Sequence, residues 1–214
     1  KNHNLNFFNE DIHLLFYFLF LLIIFFVFLN FENNFSELFL SLTSSISNVG
    51  FSLNNSSSNL SFVFLILVII GGSFFSTSSG IRFLKIYSLF KYSINEILSY
   101  SRPKNIYINK HLFSKDTFKL DEIYKYFLSV IVFIISLLIL TFLLTLSGID
   151  FESSFKLSIL TIMNTVNSSM FGLADFSFYD LHFITKYYLI FFMIIGRLEL
   201  LTLLIICKKF LFKN

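Results

Sequence analysis

The segment SNVGFS at residues 47–52 has the composition of a backbone that could present carbonyl oxygens to a cation. In a selectivity filter such oxygens replace the hydration shell of the ion, and a glycine permits the backbone angles that aim them inward. Taken alone, the hexapeptide favours a plain turn. Residues 35–46 favour the filter, because a dozen residues of helical periodicity are too few to span a bilayer but suit a re-entrant helix. The C-terminal end of that helix would direct a negative dipole at a cation.

A second chemical feature is the stretch GGSFFSTSSG at residues 71–80, which interrupts an apolar run. Each glycine costs a helix about 1 kcal/mol relative to alanine, and serine competes for backbone hydrogen bonds. A broken segment inside a membrane has to line a polar cavity. The alternative is that small residues let two helices pack closely. The residues predicted to form this loop are Gly71, Gly72, Ser73, Ser76, Thr77, Ser78, Ser79 and Gly80.

Arg197 and Glu199 lie inside the last apolar run of the chain. An ionisable residue at the centre of a membrane helix costs at least about 2.5 kcal/mol, so it usually faces a cavity or a partner. Residues two positions apart do not share a helix face, so Glu199 is not the partner of Arg197. The carbonyls of residues 71–80 are the obvious candidates, and a purely structural anchor is the alternative.

These candidate sites are arranged by an internal repeat. FENNF at residues 31–35 returns as FESSF at residues 151–155, an offset of 120 that lays Gly50 on Met170. Each copy lies between two long apolar runs. A tandem unit of apolar span, short apolar segment, polar re-entry and second span predicts a pore built from re-entrant loops.

Composition supports a membrane class, since 56% of the 214 residues are hydrophobic and only 14% are charged. We therefore expect an all-α membrane protein made of two tandem units of helix, re-entrant pore loop and helix, cut from a longer chain. The first unit, residues 1–123, is predicted to contain a span at 12–29, pore helix and filter at 35–52, a broken second span and cytoplasmic helix at 60–99, and a basic loop at 100–123. The second unit, residues 124–214, is predicted to contain a span at 124–146, pore helix and filter at 151–172, and a last span at 183–207.

The distribution of charged residues along the chain predicts on which side of the membrane each loop lies. Nine of the 16 lysine and arginine residues fall between residues 82 and 125, which places that region in the cytoplasm. Residues 30–59 and 148–182 carry one basic residue, Lys156, and several acids, so both loops belong outside. Cys207 has no partner, and the four histidines are scattered. The sequence predicts no side-chain metal site, enzyme centre, covalent cofactor or nucleic-acid partner.

Three motifs in order, SNVGFS, GGSFFSTSSG and GRLELLT, resemble the membrane subunit of Trk-type bacterial potassium uptake systems, the TrkH/KtrB group. In that family four units surround one pore, and this chain resembles units three and four. The resemblance implies that Ser47, Asn48, Val49 and Gly50 form the third filter strand, and that residues 71–80 are a gate loop met by Arg197. It also implies a multi-pass protein of the bacterial inner membrane, with potassium as substrate held by backbone carbonyls only. A homodimer and a cytosolic nucleotide-binding regulatory subunit are the implied partners.

The fourth filter departs from the family pattern. The family ordinarily has glycine where the repeat and the motif place Met170, within Ser168, Ser169, Met170, Phe171 and Gly172. Either Met170 adopts filter geometry, or the register slides and Gly172 serves. The expected function is potassium uptake. The alternatives are sodium or mixed cation transport, including sodium-coupled symport, and a non-conducting scaffold.

Overall fold

The computed structural model describes residues 9–29, 35–52, 60–70, 81, 83–101, 120–167, 169–173 and 176–197. Over these ranges the protein is helical and has no strand. The helices are α1 (Asn9–Leu29), α2 (Phe35–Ile46), α3 (Ser61–Ile69), α4 (Phe83–Ser101), α5 (Leu120–Leu146), α6 (Phe151–Met163) and α7 (Phe183–Arg197), with a 3-10 turn at Ser169–Phe171.

The helices form two similar units. In the first, the short helix α2 packs against α1 and α3, and in the second, α6 packs against α5 and α7. Contacts between α3 and α6 join the two units. The predicted all-α fold of two tandem units, each with a short helix packed between two other helices, is confirmed.

Lengths distinguish the spanning helices from the re-entrant ones. Within the described chain, Ile123–Leu146 is the one helix long and apolar enough to cross a membrane, and Leu15–Val27 is a shorter apolar helix. At about 1.5 Å per residue, α2 and α6 reach only about 20 Å, against the roughly 30 Å of a hydrocarbon core. Neither can cross, so the chain must turn back after each of them.

The core lies around α6. Eight residues of this helix are buried, Ser154 and the continuous stretch from Leu157 to Met163. Phe64 of α3 and Leu140 of α5 are almost wholly buried in the same cluster. Leu189 and Phe192 of α7 complete it. A helix covered by neighbours on three sides is a rigid support for the segment that leaves its end.

Several boundaries differ from the predicted ones. Helix α5 begins at Leu120, four residues before the predicted span, because the helical pattern continues into the basic segment. Helix α3 ends at Ile69, next to the predicted break. Residues 71–80, 102–119 and 198–214 lie outside the described residues, and with them the predicted gate loop, most of the basic loop and the end of the last span.

The repeat has a different offset in the structure. Helix α2 begins at Phe35, the last residue of FENNF, whereas α6 begins at Phe151, the first residue of FESSF. The equivalent helix starts are therefore 116 residues apart, and the offset of 120 is wrong. The two pentapeptides thus match in letters but occupy different positions relative to the helix start.

Candidate ion filter

Helices α2 and α6 end in the same way. Asn48 and Asn164 both have φ of 56°, the left-handed conformation that closes many helices. The amide of Val49 donates to Ser44 O at 3.0 Å, and the amide of Thr165 donates to Leu160 O at 2.9 Å. These are the long hydrogen bonds of a Schellman motif. Both helices thus turn their chain out sharply at a C-terminal, electronegative end.

Ser44 fixes the segment after α2. Besides accepting the Val49 amide on its carbonyl, it accepts the Phe51 amide on its hydroxyl oxygen at 2.6 Å. The chain from Asn48 to Phe51 is therefore held back against the helix end. This restraint fixes the directions of the backbone carbonyls in the segment.

The segments after the two helices lie side by side. The amide of Val166 donates to Val49 O at 3.2 Å, and the hydroxyls of Ser52 and Ser169 are 3.2 Å apart. Each pair joins residues 117 positions apart, one more than the 116 that separate the helix starts and the two left-handed asparagines. The contact between the two units is therefore displaced by one residue from strict equivalence.

Gly50 is where the two segments come closest. Its φ is +82°, and a Cβ built on it would lie 2.1 Å from Val166 O and 2.9 Å from Thr165 Cγ2. Real Cβ atoms do not approach a carbonyl oxygen so closely. Glycine is required here both for its backbone angle and for the contact with the second unit.

The residues opposite Gly50 are therefore Thr165 and Val166. Met170 lies elsewhere, in the 3-10 turn, with a side chain that is 0% exposed and packed in the hydrophobic core beside the equally buried Phe171. Gly172 has φ of +70° and lies against Lys156 and Ser61. Ser169 touches the first unit through Ser52, and Ser168 is outside the described residues.

Met170→Ala is expected to lower stability and leave ion preference unchanged, because Met170 fills the core. Truncating a buried methionine typically costs about 2 to 5 kcal/mol. Thermal unfolding of the purified variant would measure that loss, with the exposed Met193→Ala as the matched control. A Met170→Ala protein of unchanged stability but altered potassium-over-sodium preference would contradict the core position.

Side chains alternate in direction along residues 165–167. Thr165 is buried, Val166 is 65% exposed and Asn167 is partly buried. This is the pattern of an extended segment with one face turned to open space. Thr165 Oγ1 and Asn167 Oδ1 are buried without a hydrogen-bond partner among the described residues, although the Asn167 amide nitrogen donates to Leu173 O at 3.4 Å. Each such unsatisfied oxygen usually lowers the stability of the fold by about 1 to 3 kcal/mol, so this conformation of the segment is destabilising.

Helix α7 supports the end of α6. A Cβ on Gly196 would lie 2.0 Å from Ile162 O, so the two helices touch backbone to backbone. The Asn164 side-chain nitrogen donates to Met193 O at 3.1 Å. Arg197 follows directly, as the last residue of α7, and is exposed. It therefore stands close to the point where the chain leaves α6, while its predicted partners at residues 71–80 lie outside the described residues.

One ion pair lies near this site. Lys156 Nζ of α6 is 2.5 Å from Glu152 Oε1, one helical turn earlier. The hydrogen bond and the charge of Lys156 lower the pKa of the exposed Glu152 carboxyl. In the described part of the chain no three His, Cys, Asp or Glu residues group as metal ligands. The candidate oxygens at residues 47–52, 164–167 and 169 are carbonyl, hydroxyl and amide oxygens.

The fold is similar to that of a known protein. The fold matches the crystal structure of the potassium transporter TrkH from Vibrio parahaemolyticus, with a TM-score of 0.77 and 22% sequence identity over 92% of this chain and 44% of that one. The chain thus spans less than half the length of the protein it resembles. No protein-family model matches the sequence, and no curated protein matches it.

Proposed function

We propose that this chain forms part of a membrane subunit that admits potassium through a filter of backbone carbonyls. One observation carries the proposal. Two re-entrant helices end in the same left-handed asparagine turn and bring the segments that follow them into direct contact. The similarity of the fold to the potassium transporter TrkH supports it.

The filter is assigned to residues 47–50 in the first unit and to residues 164–167 in the second. Each follows the C-terminal end of a short helix, where the aligned peptide dipoles are negative and favour a cation. Carbonyl oxygens of a short, restrained segment can replace the hydration shell of the ion without a rearrangement of the protein backbone. Two such segments cannot surround an ion alone, and we infer that two further units of the longer protein complete the ring.

The remaining parts of the proposal concern gating and assembly. Residues 71–80 would form the gate, and Arg197 would hold it from the end of α7, close to Asn164. The subunit would be a multi-pass protein of the bacterial inner membrane, would act as a homodimer, and would bind a cytosolic nucleotide-binding regulatory subunit through its basic loop. Uptake would be driven by the membrane potential, at about 2.3 kcal/mol per charge per 100 mV.

A less selective cation pathway is the second candidate. The second segment has no glycine at the position of Gly50, because Val166 and Asn167 stand at offsets of 116 and 117 from it. A side chain at this position limits the backbone angles available to one filter segment. The fourth segment would then hold ions less uniformly, which favours mixed passage of sodium and potassium.

Cation flux into liposomes containing the full-length protein distinguishes these functions. Uptake of rubidium, a potassium substitute, and of sodium would be measured under an imposed inside-negative potential. Strong preference for rubidium supports the potassium pathway, and comparable rates support the mixed one. Liposomes no more permeable than protein-free vesicles would contradict both and favour a non-conducting scaffold.

A further inference from the structure

Lys156 is an unusual cation in its surroundings. It is the one basic residue in residues 30–59 and 148–182, which also contain six acids, Glu32, Glu37, Asp150, Glu152, Asp175 and Asp180. Its side chain is only 16% exposed, whereas that of its partner Glu152 is 80% exposed. The lysine side chain is thus mostly covered by protein, and the carboxylate that it pairs with is open to solvent.

The ammonium lies against Gly172, in the loop that follows the second candidate filter segment. A Cβ on Gly172 would lie 3.2 Å from Lys156 Nζ and 3.7 Å from Ser61 Oγ, so Nζ packs against the bare Cα of that glycine. The amide of Gly172 donates to Ser169 O at 3.0 Å, and the Ser169 hydroxyl meets that of Ser52. One packing contact and two hydrogen bonds therefore connect Lys156 to the segment that contains Gly50.

An exposed carboxylate at this position would attract external divalent cations. Carboxylate oxygens are preferred ligands of calcium and magnesium, and Coulomb attraction to a doubly charged ion is twice that to a potassium ion. A divalent ion held beside the filter would hinder the passage of monovalent ions. The ammonium of Lys156 occupies the same carboxylate, and it repels a divalent ion twice as strongly as a monovalent one.

We propose that Lys156 acts as a tethered cation that occupies Glu152 and keeps divalent cations away from the outer mouth of the filter. This role rests on the proposed function, because it assumes that residues 47–50 and 164–167 face an ion pathway. It makes Lys156 a specificity-determining residue that touches the loop around Gly172. The transported ion itself is not bound by it.

Calcium binding to the purified full-length protein tests the role, and potassium flux in liposomes with external Ca²⁺ gives a second measurement. Lys156→Met should bind Ca²⁺ at least about tenfold more tightly than the parent, a change of about 1.4 kcal/mol. Its flux should be halved at a correspondingly lower Ca²⁺ concentration. Lys156→Arg and the double variant Lys156→Met/Glu152→Gln should both behave like the parent, since each leaves no free carboxylate.

Glu152→Gln distinguishes the effect of the Lys156 charge on Ca²⁺ from a purely structural effect of the ion pair. If the ion pair only supports the fold, Glu152→Gln and Lys156→Met should change Ca²⁺ sensitivity alike, which would overturn the proposal. Equal Ca²⁺ binding by the parent and Lys156→Met would overturn it as well. Tighter Ca²⁺ binding by Lys156→Met in a protein that carries no potassium would support the tethered cation and contradict the proposed function instead.

Discussion

Gly50→Ala is expected to abolish the preference for potassium over sodium and to destabilise the protein. The new Cβ would lie 2.1 Å from Val166 O, a backbone atom that cannot swing aside. A non-glycine residue at φ of +82° adds strain of about 1 to 2 kcal/mol. The two filter segments would have to separate, and their carbonyls would lose common geometry. The ratio of rubidium to sodium flux and the unfolding midpoint of the purified protein measure the two effects.

Gly148→Ala provides the matched control. Gly148 has φ of +90°, close to that of Gly50, but a Cβ there would meet no atom within 4 Å. The control therefore carries the backbone strain without the collision. It should lose modest stability and keep its ion preference. If Gly50→Ala behaves like Gly148→Ala in both measurements, the contact between Gly50 and Val166 has no part in selectivity.

Gly196→Ala is expected to separate α7 from the end of α6. Its Cβ would lie 2.0 Å from Ile162 O, so one helix has to move. Overpacking of this kind typically costs about 1 to 3 kcal/mol, and the hydrogen bond from Asn164 to Met193 O would weaken with it. We expect a lower unfolding midpoint and a lower yield of folded protein in the membrane.

Ile194→Ala is the control for that variant, because Ile194 lies two residues away on the same helix and is exposed. A substitution at such a position usually changes stability by no more than about 0.5 kcal/mol. Equal stability of the Gly196 and Ile194 variants would show that α7 does not need the close approach.

The helices were predictable because their signals are local. The periodicity of residues 35–46 and the break before Gly71 gave α2 and the end of α3 to within two residues. The apolar runs likewise predicted α5 and α7, although α5 begins four residues earlier than expected. Hydrophobic pattern and helix breakers act within a few residues, so sequence alone contains them.

The position of the segment that follows α6, residues 164–167, relative to the first unit was not predicted. The similarity of FENNF and FESSF directed attention to Met170, although the two pentapeptides stand at different distances from their helix starts. A better signal was present in the sequence. Asn48 and Asn164 are 116 residues apart, the same offset as the helix starts, and each follows a short apolar helix.

Other features of the site depend on contacts between distant parts of the chain. Nothing near Gly196 in sequence shows that it lies against Ile162, and nothing near Lys156 shows that it lies against Gly172. Such contacts follow from how the helices pack, which a single sequence does not specify. The same holds for Ser44, whose buried hydroxyl resembles that of any helical serine until the Phe51 amide is seen to reach it.

The central claim is that residues 47–50 and 164–167 line one ion pathway side by side. Cadmium block of cysteine pairs tests it most directly, because two thiolates that meet bind this soft metal far more tightly than one. In a full-length protein with Cys207→Ser, the pair Val49→Cys/Val166→Cys should be blocked at a cadmium concentration at least about tenfold lower than either single variant, a gain of about 1.4 kcal/mol. Block of Val49→Cys/Met170→Cys at low cadmium, with none for Val49→Cys/Val166→Cys, would contradict the assignment.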